Sequence, residues 1–161
     1  MRGGALPAAL LCMALGLTLA FSPQRAWLAS IALLVTSAIS IVLTTVPLSW
    51  VEGVFMGCWI SIAATAAAVH VPKGLSTSAA VALSINAGIW VGAVTALSGP
   101  RFNLVKTLPC VLALLPAAFI IGRRAPIVVK VVASWLVAVA VLAGTLQLLP
   151  VTPGYLPDHL E

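Results

Sequence analysis

Six long apolar runs divide this chain, and proline and charge collect in the gaps between them. The runs are Ala5–Phe21, Ala26–Val46, Gly53–Val71, Ser76–Ser98, Thr107–Gly122 and Ile127–Leu149. A helix crosses bilayer hydrocarbon with roughly 20 mostly apolar residues, whereas a membrane strand needs only about 9–11 and alternates apolar with polar. These runs are too long for such strands and show no alternation. A helix also satisfies its own backbone groups, which hydrocarbon cannot do for it. The expectation is an all-α, polytopic transmembrane bundle of about six spans.

The breaks between runs are marked twice over. Pro23, Pro47, Pro72, Pro100 and Pro150 each follow an apolar run, where a residue without an N–H cannot continue a helix. Pro126 opens the sixth run, where its fixed φ suits a first turn. Charges fall in the same gaps: Arg25, Glu52, Lys73, Arg101, Lys106, Arg123 and Arg124. Residues 1–150 therefore read as a single transmembrane domain and 151–161 as a polar tail.

Composition excludes a soluble globule. Hydrophobic residues make up 62 % of the 161 residues and charged residues 7 %, against about 45–50 % and about 25 % in soluble domains. Eleven charged side chains cannot cover the surface of a chain this long, so that surface faces lipid. The net charge of +5 does not indicate nucleic acid, because the basic residues are scattered and form no stripe along which phosphates could bind. Cys12, Cys58 and Cys110 lie in three different runs without metal-ligand or disulfide spacing, and read as small apolar packing residues.

Two runs invite alternatives. The fifth holds 16 residues with Pro109 and Pro116 inside it, so it is expected to be short and kinked. It is taken as a full span, with a re-entrant segment, and thus five spans, as the other choice. The first follows Arg2 as a secretory signal would, but Leu19-Ala20-Phe21-Ser22-Pro23 is a poor small-x-small cleavage site, so a retained helix is expected. With six spans, Arg25, Lys73, Arg123, Arg124 and Lys130 share one side, and Arg2, Arg101 and Lys106 the other. The positive-inside rule then places both termini outside the cytoplasm, in a plasma or bacterial inner membrane.

In lipid, helix association depends on close backbone approach rather than on apolar burial. The fourth run carries a small residue at every fourth position, Ala80, Ser84, Gly88, Gly92 and Ala96. The third does the same with Gly53, Gly57, Ser61 and Thr65. Each row contains a GxxxG, and the short connection makes the two runs an antiparallel hairpin. The two small-residue faces are expected to pack against each other. Substituting Leu at Gly88 or Gly57 is then expected to disrupt folding, unlike Leu at Ile89 or Val91.

Little in the sequence suggests chemistry. Glu52, His70 and Lys130 lie toward helix ends, and no ionisable residue falls near a midplane. Zinc-protease, nucleophile-elbow and phosphate-loop signatures are missing from the sequence. No catalytic residue, metal ligand or cofactor is assigned, and the chain is expected not to be an enzyme. The strongest single candidate is Asn86, near the middle of the fourth run, whose carboxamide needs partners on another helix or in a wet pathway. Thr36, Ser37, Ser40, Ser61, Thr65 and Ser84 could line such a pathway or bond their own helices. Two functions fit. One is a structural or accessory subunit whose partners are the lipid bilayer and other membrane chains or itself. The other is a small transporter or channel for a neutral or apolar solute.

Overall fold

The computed structural model describes residues 6–21, 26–44, 47–72, 74–97 and 108–148. The expectations for Arg2, Arg25, Lys73, Arg101, Lys106 and the tail 151–161 lie outside the described residues. Those described form six α-helices: α1 (Leu6–Leu19), α2 (Ala26–Leu43), α3 (Val51–Ala67), α4 (Thr77–Leu97), α5 (Leu114–Gly122) and α6 (Pro126–Leu148). Short 3-10 turns precede α3 (Leu48–Trp50), extend it (Ala68–His70) and precede α5 (Leu108–Ala113). No strand occurs among the described residues.

Each helix matches one of the apolar runs to within a few residues at either end, except α5, which is preceded within its run by the 3-10 segment Leu108–Ala113. Pro126 is the first residue of α6, as its fixed φ favours. The segment before α5 winds as a 3-10 helix because Pro116 has no N–H to close an α-helical bond onto Leu112. The fifth run is therefore irregular as well as short.

Four helical stretches are long and apolar enough to cross a membrane: Ala26–Leu43, Val51–His70, Thr77–Leu97 and Pro126–Leu148. The helices Leu6–Leu19 and Leu108–Gly122 are apolar but shorter. Their rises, roughly 21 and 25 Å, fall below the ~30 Å of a hydrocarbon core.

A short apolar helix, α1 with 14 residues, is the centre of the bundle. Ala8, Leu11, Cys12, Ala14 and Leu15 of α1 are fully enclosed, and Leu19 nearly so. The helix lies against α3, α4, α5 and the 3-10 turn before α5. Gly16 permits that last contact: a Cβ there would stand 2.6 Å from the Val111 carbonyl oxygen. By contrast, α2 and α6 turn broad apolar faces outward, with Val42, Leu43, Ile127 and Leu142 among their most exposed side chains. Apolar residues thus occupy both the inside and the perimeter, which is the pattern of a protein whose solvent is lipid.

The most extensive helix pairing is α2 with α4, followed by α3 with α6. This corrects the expected mutual packing of the two small-residue rows. Gly88 and Gly92 of α4 face α2, where a Cβ on Gly88 would lie 1.8 Å from Thr36 Oγ1 and 2.9 Å from Leu33 O. A Cβ on Gly92 would lie 2.5 Å from Ser40 Cβ and 2.7 Å from Ser37 O. The physical reason is that a small-residue face specifies close approach but not the partner. Val91 also differs from expectation. It is fully buried, so only Ile89, about half exposed, faces outward as a comparison site should.

Candidate functional site

α3 and α4 meet through a polar contact built around Asn86. The residue is the tenth of α4's 21, so its carboxamide sits near mid-helix. Asn86 Nδ2 donates to Ser61 Oγ on α3. Trp90, one turn further along α4, donates its indole N–H to Asn86 Oδ1 at 3.1 Å. The ring of Trp90 then lies across α3 at Gly57, where an added Cβ would fall 2.2 Å from Cη2. One small residue of the α3 row thus accommodates an indole, and a second, Ser61, accepts the amide. Trp90 is the member of this arrangement that the sequence reading missed. Its position i+4 from Asn86 was the available signal, since such residues share a helix face.

The remaining expected packing residues divide. Gly88 and Gly92 lie at the α2 contact. Ser84 is buried and returns its hydroxyl to Ala80 O at 2.9 Å. Gly53 is exposed, and a Cβ built there meets nothing within 4 Å, so it lies at no close approach between described residues. The structure therefore brings Gly57, Ser61 and Asn86 together and leaves Gly53 apart.

Most of the hydroxyls bond helix backbone. Thr36 donates to Ala32 O at 2.6 Å and Ser37 to Leu34 O at 3.0 Å, each within its own helix. Ser40 crosses from α2 to α4, donating to Ile89 O at 2.9 Å. Thr18 of α1 lies 2.8 Å from both Ala14 O and Thr65 O, so its hydroxyl links α1 to α3. Two buried polar atoms, Trp59 Nε1 and Thr65 Oγ1, have no hydrogen-bond partner among the described residues. They form no common site: Trp59 packs toward Gly144 of α6, whereas the Thr65 backbone meets α1.

The ionisable residues stay peripheral. Glu52 is exposed in the first turn of α3. His70 ends the 3-10 extension of α3, and its Nε2 lies 3.1 Å from Ser134 Oγ of α6. Lys130 is half-buried one turn before Ser134. Among the described residues no three His, Cys, Asp or Glu side chains gather where a metal ion could be held.

The described residues define an all-helical fold, with four helices among them of membrane-crossing length and apolar character. Comparison with known proteins adds no narrower class: no family model, curated protein or solved structure matches the chain.

Proposed function

We propose that this chain is an integral membrane protein of six spans that serves as a structural or accessory subunit of a membrane complex, without enzymatic activity. The observation that supports this best is how the central polar residue is used. Both ends of the Asn86 amide are engaged, one by Ser61 and one by Trp90. A carboxamide engaged at both its nitrogen and its oxygen by protein groups serves to join helices. The back-bonded hydroxyls of Thr36, Ser37 and Ser84 favour the same view.

The perimeter suggests where a partner binds. Trp27 and Trp50 are exposed at helix ends, where an indole sits well among head groups. Trp135 is different. It is 60 % exposed and is the tenth of the 23 residues of α6, which places it near mid-span. Hydrocarbon offers its N–H no acceptor, whereas a neighbouring helix can. In this proposal α6 carries the partner face. The two short helical segments complete the six spans with their ends shielded by longer neighbours.

A photo-crosslinker at position 135, compared with one at the outward-facing Ile39 of α2, tests the assignment in native membranes. The expected result is a discrete protein adduct from position 135 and lipid adducts from position 39. Lipid adducts from both positions would argue against the subunit role. Solute flux through liposomes holding the purified chain, lost in a folded Asn86→Leu variant, would replace it with the transporter reading.

A further inference from the structure

The turn between α5 and α6 combines a strained arginine, a second arginine held on an aromatic ring and an apolar groove. α5 ends in a Schellman arrangement, in which the Arg124 N–H bonds Ile121 O at 3.0 Å and the Ala125 N–H bonds Ile120 O at 3.2 Å. That geometry requires a left-handed residue, and Arg124 supplies it with φ 61°. Glycine is the usual occupant because a Cβ is penalised there. Gly122 stands two positions earlier, outside the left-handed region and with open space around a built Cβ, so the turn does not use the glycine within reach. A penalised conformation held by a charged side chain is a reason to ask what the charge does.

Arg123 answers in part. Its guanidinium lies 4.7 Å from the centre of the Phe119 ring, a cation–π contact that leaves its N–H edges free to donate. Phe119, Ile120, Arg123, Ala125 and Val128 line an open groove of about 300 Å³. Apart from the arginine, every lining side chain is apolar. Both arginines are exposed. Lys130 follows one turn inside α6.

We infer that this corner binds an anionic phospholipid, with its phosphate between Arg123 and Arg124 and an acyl chain along Phe119, Ile120 and Val128. Guanidinium groups match phosphate oxygens in shape and charge. The groove supplies what a bare phosphate does not need, an apolar bed continuous with the hydrocarbon. The inference rests on membrane insertion and not on the subunit role.

The full chain, purified in mild detergent, is exposed to equal amounts of phosphatidylglycerol and phosphatidylcholine, and retained lipid is read by native mass spectrometry. Phosphatidylglycerol is expected to be retained about 25-fold over phosphatidylcholine, with about fivefold of that preference lost in each of Arg123→Gln and Arg124→Gly. Excess inorganic phosphate is expected not to displace the lipid. Arg124→Gly gives the sharpest outcome, because relief of the left-handed strain raises the unfolding temperature by about 2–4 °C while lipid selectivity falls. Equal retention of the two lipids, unchanged selectivity in both variants, or displacement by phosphate alone would each overturn the proposal. A chain that stayed monodisperse without detergent would instead remove the membrane premise beneath it.

Discussion

Glycine side-chain space separates positions that look alike in the sequence. At Gly92 an added methyl group meets Ser37 O, a backbone atom that cannot rotate away, and Ser40 Cβ. At Gly88 the first obstacle is the Thr36 hydroxyl, with Leu33 O behind it. Gly92→Ala and Gly88→Ala are each expected to cost about 1–3 kcal/mol through overpacking, seen as lower unfolding temperatures in detergent. Gly53→Ala and Gly122→Ala, with open space around them, are expected to leave that temperature unchanged or raise it slightly. An equal loss at Gly53 and Gly92 would contradict the α2–α4 contact. Cysteine reactivity offers a second check. Cys12 and Cys58 are fully buried, and Cys110 is only partly so. Maleimide is expected to spare Cys12 and Cys58 in the folded protein and to label both after denaturation; rapid labelling of either in the folded state would disagree with an enclosed α1–α3 core.

Among the helices, α1 is too short to span hydrocarbon unaided and yet is the most buried. Leu11, Leu15 and Leu19 fill the space among α3, α4 and the segment leading into α5, and Thr18 adds a hydrogen bond to the α3 backbone. A chain lacking residues 1–21 is expected to lose its compact state, since the space that α1 fills between those neighbours would be left empty. Size-exclusion chromatography in detergent checks this: a monodisperse, fully helical product would show that α1 is dispensable. The segment Leu108–Gly122 makes the opposite point, because its irregularity was legible beforehand. Pro109 and Pro116 remove two backbone donors, and no tertiary contact can restore them. α3 and α4 fall between these cases. Their hairpin contact occurs, yet through Trp90 over Gly57 and Asn86 on Ser61 instead of glycine row on glycine row.

For the whole molecule, the division between sequence and fold follows from helices apolar enough to cross a membrane. Apolar runs, prolines and charged gaps are local features, and they set the helical class and the approximate ends of each helix. A helix end needs only its own proline or cap, so Pro126 at the start of α6 was visible in the chain alone. Partner choice was not visible. In a soluble bundle the apolar stripe of a helix points to the core, but here the helices are apolar all round, so sequence cannot distinguish a side facing lipid from a side facing protein. The central burial of α1, the seating of Gly88 and Gly92 against α2, and the exposure of Trp135 all depended on that distinction. The same limit applied to Asn86: its need for partners followed from its chemistry in hydrocarbon, whereas the assembled helices decided that Ser61 and Trp90 would meet it.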